Sequence, residues 1–86
     1  MKRATYIRCE GPMPSFTYKP VPGLPPIWRV FPADHTNKPT GKIYEKPAWL
    51  EALLLMRRIA RDRHMPFASY AQTAGGTFKR YPPPLY

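Results

Sequence analysis

Proline decides most of what this chain can become. Thirteen of its 86 residues are proline, at positions 12, 14, 20, 22, 25, 26, 32, 39, 47, 66, 82, 83 and 84. Each fixes its own φ, removes a backbone donor and pushes the preceding residue towards extended geometry. The longest proline-free intervals are residues 48–65, 67–81 and the first eleven, so a substantial helix fits in one place.

That place is PAWLEALLLMRRIARDRHMP, residues 47–66. Pro47 suits a first helical position, strong helix formers fill the interior, and arginines gather near the carboxyl end, where the helix dipole favours them. Pro66 stops the run. A helix over about 47–64 is therefore expected. At about 100° per residue, Trp49, Ala52, Leu53, Met56, Ile59 and Ala60 fall on one face, while Leu50, Leu54 and Leu55 project elsewhere. The first half is apolar almost all round. In the second half Arg57, Arg58, Arg61 and Asp62 take the opposite side, and Arg63 and His64 flank the apolar stripe. Asp62 is spaced to pair with Arg58 one turn earlier, a contribution of only ~0.2–0.5 kcal/mol.

Upstream, residues 11–47 read GPMPSFTYKPVPGLPPIWRVFPADHTNKPTGKIYEKP, with Phe16, Tyr18, Trp28, Phe31 and Tyr44 set among the prolines. This reads as an extended arm. At ~3.1 Å per residue in polyproline II geometry it would reach roughly 110 Å before turns at Gly23, Asn37 and Gly41 shorten it. Such an arm buries its own aromatics poorly. Downstream, FASYAQTAGGTFKRYPPPLY has aromatic spacing that fits a short strand or an irregular tail, broken at Gly75 and Gly76. The expected organisation is a proline-rich extended arm over 1–46, an amphipathic anchoring helix over 47–64, and an extended aromatic and basic tail over 65–86. The expected fold class is mostly irregular and extended, with a single α-helix and no independent globular core. A chain of this length is close to the ~80 residues below which one core seldom supplies more than ~3–5 kcal/mol.

With 14 Lys plus Arg against 5 Asp plus Glu the formal charge is +9, an electrostatic footprint for phosphate, anionic lipid or an acidic protein surface. The plainer reading is solubility for a sticky sequence. Hydrophobic content of 43% and aromatic content of 14% argue against simple disorder. A single cysteine, Cys9, excludes an intramolecular disulfide and fits a reducing compartment. No run approaches the ~20 apolar residues that span a bilayer, so no transmembrane span is expected. The opening MKRATYIRCEGPMPSF lacks the apolar region of a signal peptide, and any import signal is expected to be internal or uncleaved.

Catalytic readings fare badly. Glu10, Asp34, Glu45, Glu51 and Asp62 are scattered, Cys9, His35 and His64 fall short of a zinc signature, and Ser15 and Ser69 lack a nucleophile motif. Gly75-Gly76 has neither the lysine nor the strand-to-helix context of a phosphate loop. The chain is expected to be no enzyme, with no catalytic residue, metal or cofactor. Arg57, Arg58, Arg61 and Arg63, with Lys79 and Arg80, are the candidate contacts to phosphate or an acidic surface, because guanidinium forks grip phosphate in bidentate fashion. A solvated helix end is the plainer alternative. Trp49, Leu50, Leu53, Leu54, Met56 and Ile59 are the candidate anchors to neighbouring proteins. Tyr6, Tyr18, Trp28 and Tyr81 suit base stacking or protein pockets equally. Two short motifs, Lys19-Pro20-Val21-Pro22-Gly23-Leu24-Pro25 and Pro83-Pro84-Leu85-Tyr86, fit SH3 and WW ligands, but so proline-rich a composition yields such matches easily.

An apolar helix with no counterpart in its own chain implies partners. In general style the chain resembles the small accessory proteins of mitochondrial ribosomes, basic and extended, which implies a non-catalytic structural subunit contacting rRNA and several neighbouring proteins in the matrix. The alternative is an accessory subunit of a respiratory complex such as complex I, at the inner membrane, with arginines facing acidic loops or anionic lipid head groups. A filament-lining protein of the cytoskeleton is a further alternative.

Overall fold

Ile7, Cys9 and Gly11 alternate with Tyr6, Arg8 and Glu10, and this period of two builds a central strand with two distinct faces. The structure, a computed structural model, describes residues 3–12, 27–73 and 75–82. In chain order these form β1 (Tyr6–Pro12), β2 (Trp28–Ala33), β3 (Tyr44–Lys46), α1 (Trp49–Arg63), β4 (Phe67–Gln72) and β5 (Phe78–Arg80). The five strands make one mixed sheet in the order β3-β2-β1-β4-β5. β1 runs antiparallel to β2 and parallel to β4, and the two outer strands are antiparallel to their neighbours.

Register sorts the side chains. Cys9 opposes Val30 on β2 and Ser69 on β4, and Ile7 opposes Pro32 and Phe67, so these residues share one face. Across that face lies α1. Ile7, Cys9, Trp28, Val30, Ala52, Met56, Ala60 and Ala71 form the buried core, with Tyr44, Trp49, Leu53, Leu55, Ile59, Met65 and Tyr81 packed around it. Removing a side chain the size of Ile7, Val30 or Met56 from water contributes about 1.5–3 kcal/mol each. The small Ala52 and Ala60, one turn either side of Met56, let the helix approach the sheet closely.

The expectation of a mostly irregular chain without its own core is overturned: a sheet with a helix packed on it supplies one. The radius of gyration is 13.1 Å, against about 12 Å for a folded and about 29 Å for an unfolded chain of this length. The described prolines are placed where a sheet tolerates them. Pro12 closes β1, and Pro39, Pro47 and Pro66 stand between strands and helix. Pro32 lies inside β2 without breaking it. The Ile7 N–H points to the Pro66 carbonyl at 2.9 Å, and the Pro32 carbonyl accepts the Thr40 N–H at 2.9 Å. Ile7 and Pro32 are therefore a pair that exchanges no ladder bond, and the donor that Pro32 lacks would have faced away from β1, beyond the end of β3, where residues 38–40 pair with β2 through the Ala33–Pro39 bridge.

Helix α1 begins at Trp49, with Ala48 as its cap and Pro47 before it. It ends at His64 in the left-handed conformation (φ 54°), and the Met65 N–H returns to the Ala60 carbonyl at 2.9 Å, a six-to-one closure. Pro66 then hands its carbonyl to β1, so the stop of the helix is the start of the parallel pairing. At the other end of the core Trp28 covers Gly11, Trp49 meets Tyr81 edge to face at 4.9 Å, and the Trp49 indole N–H donates to Ser69 Oγ at 3.1 Å.

The sheet face away from α1 carries a polar and aromatic layer. Arg8, only 4% exposed, donates to Glu10 Oε2 at 2.9 Å and to the Tyr6 hydroxyl at 3.0 Å, and its guanidinium lies 4.2 Å from the Tyr70 ring centre and 5.1 Å from that of Phe78. Burial pulls the Arg8 pKa down, but the bonds to Glu10 and Tyr6 outweigh it and the net shift is upward. Among the described residues no helix is long and apolar enough to cross a membrane.

Candidate functional site

The inner stripe of α1 is used by the sheet, which leaves its outer stripe for anything else. Of the six candidate anchors, Met56 is fully buried on this chain's own core, and Trp49, Leu53 and Ile59 pack against it. Leu50 and Leu54 instead face outward, 64% and 66% exposed. They stand one turn apart, and the same side of the helix continues into Arg57, Arg58 and Arg61.

These arginines are brought together. Arg57, Arg58 and Arg61 line a cleft of about 530 Å³ with Leu54 and Phe67. All three are exposed, and no ion pair joins them to another described residue. The spacing of Asp62 to Arg58 produces no bridge. Asp62 lies instead on the other flank of the helix, in a separate cleft with Arg63, Lys42, Tyr44, Ile59 and Pro32. Two consequences follow: Arg58 keeps its charge unneutralised, and Arg63 is separated from the cluster it adjoins in sequence. The positive charges sit over the carboxyl-terminal turns of α1, where the helix dipole offsets part of their mutual repulsion.

Lys79 and Arg80 are exposed on β5. Arg80 borders a further cleft of about 210 Å³, lined also by Leu53, Met56, Phe67, Ser69, Tyr81 and Pro82. Phe67 thus belongs to both clefts. It opens β4 and is 47% exposed at the boundary between arginines on one side and an apolar recess on the other. Tyr81 was among the aromatics suited to stacking and Phe67 was not; Phe67 reaches the arginine cleft because β4 begins directly after the helix stop.

Cys9 and Asp34 serve the fold. Cys9 is buried, and desolvation pushes its thiol up to about 11, which leaves a neutral core group. Asp34 Oδ1 accepts from the Thr36 N–H at 2.8 Å and from the Lys38 N–H at 3.1 Å, and so closes the turn after β2. Among the described residues no three His, Cys, Asp or Glu side chains gather in a way that would hold a metal ion. The SH3-type and WW-type motifs, with Tyr18, lie outside the described residues. Comparison with protein-family models, curated proteins and solved structures found no match.

Proposed function

We propose that this protein is a non-catalytic, RNA-contacting module of a ribonucleoprotein, and that it grips the phosphate backbone with Arg57, Arg58 and Arg61. One observation carries this reading: three exposed arginines, unpaired among the described residues, converge on one concave surface in a chain of net charge +9. Guanidinium groups so placed match phosphate oxygens in bidentate fashion. A lipid surface is a poorer fit. A helix lying on a bilayer sinks a continuous apolar face among the acyl chains, whereas the main apolar stripe of α1 is occupied by the sheet and its outer side carries Leu50 and Leu54 followed by arginines.

Leu50 and Leu54 are the places for a neighbouring protein in the same assembly. The threading of an unfolded chain through a larger particle, which led towards a mitochondrial ribosomal subunit, is no longer needed to bury the helix. The charge argument for an RNA partner is independent of it. Binding of the full chain to a fluorescein-labelled RNA, followed by anisotropy over a salt series, tests the proposal. Affinity is expected to fall steeply with salt, and the triple change Arg57→Ala, Arg58→Ala, Arg61→Ala to flatten the slope by roughly 0.7 per lost single-strand phosphate contact. An unchanged slope in a folded triple variant would refute the site. Sedimentation of the cellular protein with a respiratory complex, free of RNA, would refute the function.

A further inference from the structure

The two clefts that meet at Phe67 differ in chemistry, and the difference carries information about the ligand. On one side stand Arg57, Arg58 and Arg61; on the other lies a recess walled by Leu53, Met56 and Tyr81, with Arg80 at its edge. We infer that this double cleft is a site for single-stranded RNA, in which an unpaired base stacks on the Phe67 ring while flanking phosphates meet the helix arginines and Arg80. The inference rests on the preceding reading of the arginine cleft and specifies which form of RNA that cleft takes.

Phe67 makes the distinction. Its register partner on the same sheet face, Ile7, is fully buried, whereas Phe67 leaves 47% of its surface in water. An aromatic ring held on a strand, half-open and with positive charge on both sides, offers a flat apolar surface to something that is flat and negatively charged at its margins. A nucleotide strand has this alternation of base and phosphate, and every base presents a π face. In a duplex those faces are occupied by neighbouring base pairs, so an A-form helix offers the site its phosphates alone. Heparin or polyphosphate likewise satisfies the arginines without the ring. The arginines therefore attract all polyanions, and Phe67 selects the unpaired strand.

The test uses the full chain with three probes: a labelled uridine-rich single strand of about a dozen nucleotides, a blunt duplex of the same length, and heparin as competitor. Phe67→Ala is expected to weaken single-strand binding by roughly 5- to 150-fold, the range for loss of one base–aromatic stack, and to leave duplex binding unchanged. Phe67→Tyr is expected to restore it. A strand carrying 2-aminopurine is expected to lose fluorescence on binding the unsubstituted protein and to keep it with Phe67→Ala, a readout that does not depend on affinity. Should Phe67→Ala unfold, Phe67→Leu retains the packing volume and removes the stack. Equal weakening for strand and duplex, or no 2-aminopurine quenching with the unsubstituted protein, overturns the inference and leaves RNA contact by the arginines standing. Failure of the unsubstituted protein to bind either RNA overturns both.

Discussion

The two sides of α1 are both built from strong helix formers and meet opposite fates. On the inner stripe Ala52, Met56 and Ala60 are buried against Ile7, Cys9 and Val30. On the outer stripe Leu50 and Leu54 stand in water, followed by three arginines that find no described counter-ion. The arginines separate them in the second half, but in the first half leucine occurs on both. What separates them there is the complementary surface: small and β-branched residues of β1 and β2 receive the inner stripe, and nothing described receives the outer one. Changes on the inner side should therefore act on folding, and changes on the outer side on binding.

The largest expected effect is at Met56. Met56→Ala leaves a cavity between helix and sheet and should cost about 2–5 kcal/mol, read from urea unfolding of the purified chain. The same experiment shows whether the unsubstituted chain unfolds in one cooperative step, as a single packed core requires. A gradual, non-cooperative loss of signal would erase the contrast between the two stripes.

Gly11 comes next, because it sharpens where the inner surface ends. A Cβ added there would stand 2.2 Å from Cδ2 of the Trp28 indole, which forces the ring off the sheet. Gly11→Ala should cost about 3 kcal/mol, at the upper end for overpacking, and should shift the tryptophan emission. Wild-type stability with unchanged fluorescence would mean that Trp28 does not cover that strand.

Cys9 tests the dryness of the same interior through pH. Its thiol is raised from 9.0 to about 11 by burial, so the folded state holds the proton more tightly than the unfolded chain. The associated stability is fully present below pH about 9 and is lost as pH rises through about 11, by no more than about 2.7 kcal/mol. Comparing urea unfolding at pH 8 and near pH 10.5 with that of Cys9→Ala isolates this from tyrosine titration; an identical pH dependence in both proteins would show that Cys9 meets water.

How much of this was legible in the sequence differs between helix and sheet for a physical reason. Helix α1, Trp49–Arg63, lies inside the interval that its flanking prolines and periodic apolar residues mark, because helix signals are local. The sheet depends on pairings far apart in the chain. Pro32 argues against a central strand until its missing donor is seen to face away from β1, so that the β1–β2 ladder loses no bond. Arg8 argues against burial until Tyr6, Glu10, Tyr70 and Phe78 surround it. Each strand is short, and their shared face becomes visible once Ile7 is aligned with Pro32 and Phe67. The candidate site shows the same division. Arg57, Arg58 and Arg61 are adjacent in sequence and were recognisable as a cluster, whereas Phe67 joins them through the fold. Helical periodicity divided the leucines in part: it set Leu53 on the inward face and Leu50 and Leu54 off it, as found, but it also set Leu55 off that face, although Leu55 packs against the core.

The smallest expected change in stability, and the most direct probe of the contrast, is Leu54→Glu. Leu54 is 66% exposed and lines the arginine cleft. Replacing it buries no charge, leaves no cavity and keeps a good helix former, so unfolding free energy should move by no more than about 0.5 kcal/mol. The new carboxylate, one turn before Arg58, should nevertheless neutralise part of the cleft and repel phosphate. Binding should weaken for single-stranded and duplex RNA alike, unlike the selective loss expected at Phe67. A destabilisation above about 1 kcal/mol would place Leu54 on a folding surface, and the outer stripe would then belong to the core.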